Sequence, residues 1–153
     1  MELSRRSSTG ETASHIFIIF VTVAQLIFFT LFHKYIAWYT TQPDGSITRL
    51  SMLTDDYFIW LPIMITASIL VIVASTAMII YDKYRFRMTI QIIFCIIGIV
   101  VTISLVSIFP FDFNVIPNAT AARVVPKLAR VFFILMAVFY GGTALFHVIS
   151  MVQ

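Results

Sequence analysis

Charged residues are scarce in this chain of 153 residues. Lys, Arg, Asp and Glu make up 11% of the sequence, hydrophobic residues make up 60%, and the mean hydropathy is +0.99. Soluble domains carry about a quarter of their residues as charges, and a chain with so few cannot build the polar surface of a water-soluble globule. The class of soluble globular proteins is therefore excluded, and we predict that a lipid bilayer covers the apolar surface.

Residues typical of catalytic and cofactor sites are also few. The single thiol, Cys95, excludes an intrachain disulfide and leaves a zinc cluster without a second thiolate. The sequence contains no G-x-S-x-G nucleophile turn and no phosphate-cradling loop. A bis-His haem site is disfavoured, because His33 is expected near the opposite membrane surface from His147 and His15 stands at the start of its helix. We therefore predict no catalytic residue, no cofactor and no bound metal.

The charges that are present do not indicate a nucleic-acid partner. The formal net charge is +3 and the sequence pI is about 9.2. The basic residues are scattered among the ends of apolar segments, whereas a nucleic-acid interface gathers them on one face. We interpret them as flanks that hold helix ends at the level of the lipid phosphates.

Long hydrophobic runs dominate the rest of the chain, and each is long enough to cross a hydrocarbon core of about 30 Å as a helix. They predict an all-α fold, an integral membrane four-helix transmembrane bundle with up-down-up-down topology and short loops. The predicted spans cover residues 16–39, 57–81, 88–109 and 131–152. Residues 1–14 are predicted to form a polar N-terminal leader, and residues 15–153 the transmembrane domain.

The connecting segments carry their own signals. Residues 42–46 read Gln-Pro-Asp-Gly-Ser, turn chemistry that is compatible with a small hairpin. Tyr57, Phe58 and Trp60 are expected at the membrane interface where the second span begins. Residues 117–125, bounded by Pro126, are expected to form one or two turns of interfacial helix.

The count of Lys and Arg does not decide the orientation of the chain in the membrane, because it is the same on the two sides. The side of the N-terminus carries Arg5, Arg6, Lys83, Arg85 and Arg87, and the other side carries Lys34, Arg49, Arg123, Lys127 and Arg130. The first group lies immediately at helix ends, whereas part of the second group lies inside longer loops. Since charges close to the spans weigh most, we predict that both termini are cytoplasmic.

Polar residues within the spans define a candidate intramembrane polar layer. Its members are Gln25, Ser75, Thr76, Gln91, Thr143 and His147. Each polar group in hydrocarbon needs a hydrogen-bonding partner, so we expect these groups to point inward. The layer is either a set of interhelical hydrogen bonds or a polar pathway, and the lack of a deep Asp or Glu favours the first interpretation.

Helical spacing places further residues on the same faces as this layer. In the third span the shared face carries Gln91, Cys95, Gly98 and Thr102, and in the first span it carries Thr22, Gln25 and His33. Ala137, Gly141 and Ala144 form a candidate helix-packing face on the fourth span, because small residues let helices approach closely.

Two classes of function fit these patterns. The leading prediction is a non-catalytic structural or accessory subunit, which packs against partner subunits or against copies of itself in a larger membrane assembly. The alternative is an oligomeric transport or lipid-handling protein that uses the polar layer.

Overall fold

Four long helices make up most of the computed structural model, which describes residues 9–81 and 83–152. They are α1 (Thr9–Leu31), α2 (Tyr57–Ile80), α3 (Tyr84–Ile108) and α4 (Ala119–Val152). All four are long and apolar enough to cross a membrane. The prediction of a helical protein with four helices of membrane-spanning length is confirmed, and a small hairpin is the main addition to it.

The bounds of α1 differ at both ends from those expected. The helix begins at Thr9, inside the predicted leader, of which residues 1–8 lie outside the described residues. It ends at Leu31, eight residues or so before the predicted end of the span, and a 3-10 turn, His33–Tyr35, follows. The next residues are rich in aromatic and β-branched side chains, which favour an extended strand over a helix. Residues 37–41 therefore form a paired strand and do not continue the helix of the first span.

The hairpin lies between α1 and α2. Strand β1 (Ala37–Thr41) pairs antiparallel with strand β2 (Ile47–Ser51), which confirms the hairpin interpretation. In the turn, Gly45 has φ +80°, and Asp44 Oδ1 accepts hydrogen bonds from the Ser46 amide at 3.0 Å and from Ser46 Oγ at 2.7 Å. These hydrogen bonds lower the pKa of Asp44 below its ordinary value, because they stabilise the carboxylate.

Helix α4 runs through Pro126 without interruption, so the expected separate interfacial helix before Pro126 is wrong. Pro126 has no N–H to donate to the Ala122 carbonyl and its ring crowds that carbonyl, yet the helix continues on both sides of it. Asn118 starts the helix, since its Oδ1 accepts from the amides of Thr120 at 2.9 Å and Ala121 at 3.2 Å. At 1.5 Å per residue α4 is about 51 Å long, well beyond a hydrocarbon core of about 30 Å.

The two longer connectors, residues 32–56 and 109–118, are bonded to each other, and we call them together the loop cap. The Thr54 amide donates to the Pro110 carbonyl at 3.1 Å, and the Asp112 amide donates to the Met52 carbonyl at 2.8 Å. Leu53 and Phe111 form an isolated antiparallel bridge. The loop cap thus joins the end of α1, the start of α2 and the end of α3.

The helices pack in chain order. The main contacts join α1 to α2, α2 to α3 and α3 to α4. No comparable contact joins α1 to α4 within the part of the chain that the structure describes. The buried helix residues are Tyr57, Trp60, Met64, Ser68, Ala74, Ser75 and Met78 on α2, and Ile90, Cys95 and Thr102 on α3. We refer to α2 and α3 as the inner helices and to α1 and α4 as the outer helices.

Candidate functional site

The six residues of the predicted polar layer lie in different environments. Gln25 and Thr76 are exposed, whereas Gln91, Thr143 and His147 are half-buried. Ser75 is fully buried. The chain by itself does not bring Gln25 into the interior, because α1 contacts only α2 extensively and Gln25 stands on a face that α2 does not cover.

The threonine hydroxyl groups of the layer form hydrogen bonds within their own helices, so they do not require a partner on another helix. Thr76 Oγ1 donates to the Ile72 carbonyl at 2.8 Å, and Thr143 Oγ1 donates to the Phe139 carbonyl at 2.9 Å. Each hydroxyl bonds the carbonyl one turn earlier in its own helix, a common arrangement for Ser and Thr within helices. These two threonines therefore satisfy their hydroxyl groups without an interhelical partner.

Two members of the layer have a buried polar atom without a hydrogen-bonding partner. Ser75 Oγ on α2 and Nδ1 of His147 on α4 have no hydrogen-bonding partner among residues 9–81 and 83–152. A buried polar atom without a partner carries a desolvation cost, so such atoms mark places where a water, a ligand or another chain could bond.

The contact between α3 and α4 fixes their relative position. A Cβ added at Gly98 would lie 3.0 Å from the ring of Tyr140, and the Arg130 guanidinium lies 4.4 Å from the centroid of the Phe109 ring. Counting along both helices from these two contacts places Gln91 level with His147. Gln91 and His147 therefore lie at the same height along the α3–α4 pair, whereas Gln25 on α1 is exposed.

The predicted inward face of α3 is confirmed at Cys95 and Thr102, each 6% exposed. The corresponding face of α1 is not, because Gln25 is exposed and Thr22 uses its hydroxyl to bond the Ile18 carbonyl at 2.7 Å. Burial of a helix face depends on which neighbour it meets, and α1 has only one extensive neighbour.

The predicted packing face on α4 has open space beside it. Ala137, Gly141 and Ala144 are half-buried, yet a Cβ added at Gly141 would meet no atom within 4 Å. The glycine at a close helix approach is Gly98, whose missing side chain makes room for the Tyr140 ring. Sequence reasoning placed Gly98 on the polar face and did not single it out for packing.

An aromatic cluster at the loop cap was not expected. Tyr57 is 1% exposed and Trp60 is 4% exposed, so these two rings are covered by other parts of the protein. The Tyr57 hydroxyl donates to the Phe29 carbonyl, and the His33 ring stacks on Tyr57 with centroids 5.4 Å apart. The cluster locks the end of α1 onto the start of α2.

A second aromatic group ends α3. Phe109 adopts a left-handed conformation with φ +43°, and its amide still donates to the Leu105 carbonyl at 2.9 Å. The chain leaves the helix there because Pro110 follows, and the residue before a proline is disfavoured in the helical region. The rings of Phe109, Phe111 and Phe113 then pack together at centroid distances of 5.9 to 6.1 Å. This stretch is structural, since it closes the helix and supports the loop cap.

The remaining cavities and clusters offer little chemistry. An apolar groove of about 440 Å³ lies between α2 and α3, with Pro62, Leu70 and Val100 among its lining residues. In the two described ranges no group of three His, Cys, Asp or Glu side chains could hold a metal ion. Comparison of the chain with protein-family models, curated proteins and solved structures finds no match in any of the three.

Proposed function

We propose that all four helices insert in a membrane with up-down-up-down topology. Contacts between opposite helix ends support this arrangement. Near the start of α2, the cluster of Tyr57, Trp60 and Met64 packs against Phe29 from the end of α1 and Leu105 from the end of α3. Near the end of α2, Ala74 and Met78 pack with Ile90 from the start of α3. These contacts support an antiparallel arrangement of α1, α2 and α3.

The proposed orientation has both termini in the cytoplasm and the loop cap on the other side. Single cysteines introduced at Ser8, Ser46 and Asn118 in a Cys95→Ser background test it in sealed vesicles. We expect an impermeant thiol reagent to label position 8 from one side only, and positions 46 and 118 from the other side only. Labelling of positions 8 and 46 from the same side would overturn the topology.

The function that we propose is that of a non-catalytic structural or accessory subunit in a larger membrane assembly. The observation that carries it is the contrast between inner and outer helices, since none of the buried residues lies on α1 or α4 among the described residues. Each outer helix uses one neighbour and leaves the rest of its surface for lipid or protein. On α4 that surface includes Gly141 and Gly142, where an added Cβ would meet no atom within 4 Å.

Small residues with free space beside them suit close approach by another helix, because van der Waals packing drives helix association in lipid. The proposal therefore predicts that the affinity-purified chain carries stoichiometric partner subunits, or further copies of itself, in mild detergent. We expect Gly141→Leu to reduce that association while leaving the fold of the chain intact. Purification of a monomer that is unaffected by Gly141→Leu would overturn the proposal.

The alternative, a transport or lipid-handling protein, is favoured by the unpartnered Ser75 Oγ and His147 Nδ1. In that case vesicles containing only this chain would conduct protons or monovalent ions, and Gln91→Leu would abolish conduction with little loss of thermal stability. If the layer is structural, Gln91→Leu lowers thermal stability in detergent. Vesicles with the wild-type chain and vesicles with the variant then both fail to conduct ions.

A further inference from the structure

The continuous helix α4 gathers three basic residues that the sequence distributes between a loop and a span. Arg123, Lys127 and Arg130 follow the spacing i, i+4, i+7, so they share one side of the helix, which we call the basic face. All three are exposed. The face exists only because the helix does not break at Pro126.

The position of the basic face follows from the contacts of α4 with α3. Arg130 lies over Phe109, the residue that ends α3, so residues 119–129 extend beyond the level of the α3 end. Eleven residues at 1.5 Å each give an extension of about 16 Å. The uninterrupted apolar part of α4 begins at Val131, immediately after the basic face. The face therefore starts where a spanning helix leaves the hydrocarbon and enters the headgroup region.

The charges of the basic face have no acidic partner among the residues that the structure describes. Helix α4 contains no Asp or Glu at all. Neither Arg123 nor Lys127 has an ion pair or hydrogen bond through its side chain in the ranges 9–81 and 83–152. The helix N-terminus adds positive potential of its own, so an external anion at the basic face would lower the repulsion among these groups.

The side of the helix next to the basic face is apolar and exposed. Val124 is 45% exposed, Leu128 is 61% exposed and Val131 is 53% exposed. Cations beside exposed aliphatic side chains are the arrangement by which interfacial helices bind anionic membranes, with the aliphatic groups in the acyl boundary and the cations at the phosphates. An acidic protein partner would satisfy the charges but would not by itself account for their position at the start of the apolar run.

We propose that the basic face of α4 binds the headgroups of anionic phospholipids. The anionic lipid supplies the counter-charge that α4 lacks, and Arg130 is held toward the membrane boundary by its contact with Phe109. This inference rests on the membrane insertion proposed above, but neither on the proposed cytoplasmic location of the termini nor on any partner subunit.

The test uses the purified full chain in phosphatidylcholine membranes that contain trace spin-labelled lipid. Electron paramagnetic resonance gives the fraction of lipid immobilised by the protein, for phosphatidylglycerol and for phosphatidylcholine separately. We expect wild-type protein to favour phosphatidylglycerol. The double variant Arg123→Gln with Lys127→Gln should lose up to about five-fold of that preference per cation, which corresponds to about 1 kcal/mol each.

Matched variants separate the basic face from general charge effects and from folding. Arg49→Gln removes an exposed cation from β2 and should leave the preference unchanged. Arg123→Lys retains the charge and should retain the preference. The double variant and the two matched variants all leave the contact between Arg130 and Phe109 in place, and unchanged helix content by circular dichroism confirms folding.

Two results would overturn the inference directly. Equal immobilisation of the two lipids by wild-type protein would show that no anionic lipid is selected. An equal loss of preference in the double variant and in Arg49→Gln would show that the basic face is not the site. No immobilised component for either lipid would instead refute membrane insertion itself, so the failure of that proposal is recognised separately.

Discussion

The inner and outer helices are all apolar enough to cross a membrane but differ in what covers them. Every described helix residue that is buried belongs to α2 or α3. Of the most apolar windows, 28% of the residues on α2 and 17% on α3 are buried, against none on α1 or α4. Hydrophobicity does not distinguish a helix face that meets protein from one that meets lipid, because acyl chains are as apolar as leucine side chains. Only the packing partners make the difference.

The largest expected effect is the removal of a buried side chain from an inner helix. Met64 on α2 is 1% exposed and contacts the rings of the aromatic cluster. We expect Met64→Ala to lower the free energy of unfolding by about 2 to 4 kcal/mol, because it removes packing contacts and leaves a cavity. The matched outer variant, Leu135→Ala on α4, removes a side chain that is 62% exposed and should change stability by less than about 0.5 kcal/mol.

Thermal unfolding of the monomeric chain in detergent, followed by circular dichroism, measures both variants. Equal destabilisation by the two substitutions would show that α4 is buried as deeply as α2. The conclusion that inner helices are buried and outer helices are not would then be wrong for the isolated chain.

The next effect concerns two glycines that look alike in sequence. Gly98→Leu places a side chain into the ring of Tyr140, where even a Cβ would lie 3.0 Å from the ring carbons. We expect a loss of about 1 to 3 kcal/mol of stability, because overpacking forces the neighbouring helices apart. Gly141→Leu meets no atom within 4 Å at its Cβ and should leave the stability of the monomer unchanged.

The same detergent unfolding assay compares these two proteins. A larger loss for Gly141→Leu than for Gly98→Leu would mean that the close approach of α4 to α3 lies on the small-residue face and not at Tyr140.

A smaller effect distinguishes how the two kinds of helix are held at their starts. The Asn118 side chain caps α4, whereas Asp56 at the start of α2 makes no side-chain capping bond. We expect Asn118→Ala to destabilise the start of α4 by about 1 kcal/mol, and Asn118→Asp to be nearly neutral because aspartate caps equally well.

Amide hydrogen exchange at Thr120 and Ala121 measures the stability of the first turn of α4. Asp56→Ala should not change exchange at the start of α2, which is held by the burial of Tyr57 and Trp60. Similar changes in exchange from Asn118→Ala and Asp56→Ala would show that capping matters equally for inner and outer helices.

The smallest effect lies outside both pairs of helices, in the hairpin. The pKa of Asp44 is lowered in the folded state, so its carboxylate stabilises the hairpin above the ordinary pKa of 3.8. This contribution is lost as the pH falls through the lowered folded-state pKa. Ser46→Ala removes the side-chain hydrogen bond and should raise the pKa of Asp44 toward its ordinary value.

An NMR titration of the Asp44 carboxyl group measures this shift. Thr48→Ala, which instead removes a hydrogen bond from Gln42 Nε2 at 3.2 Å, should leave the pKa of Asp44 unchanged. An identical pKa for Asp44 in wild-type and Ser46→Ala proteins would contradict the assignment of the shift to Ser46.

The sequence by itself determined the number of helices, because a run of about 20 apolar residues between polar segments has few alternatives to a helix of membrane-spanning length. It also indicated the hairpin, since Pro-Asp-Gly turn chemistry is local. The ends of α1 were less predictable, because the aromatic and β-branched residues after Leu31 could extend a span or pair in a strand.

Only the tertiary structure decided which side chains are covered. Ser75 and Thr76 are neighbours in sequence, yet the first is fully buried and the second is exposed with its hydroxyl bonded to its own helix. Gly98 rather than Gly141 meets a ring, and α4 passes through Pro126 to assemble the basic face. These outcomes depend on the fit between particular helices, and in a chain that is apolar on nearly every face the hydrophobic pattern carries no information about that fit.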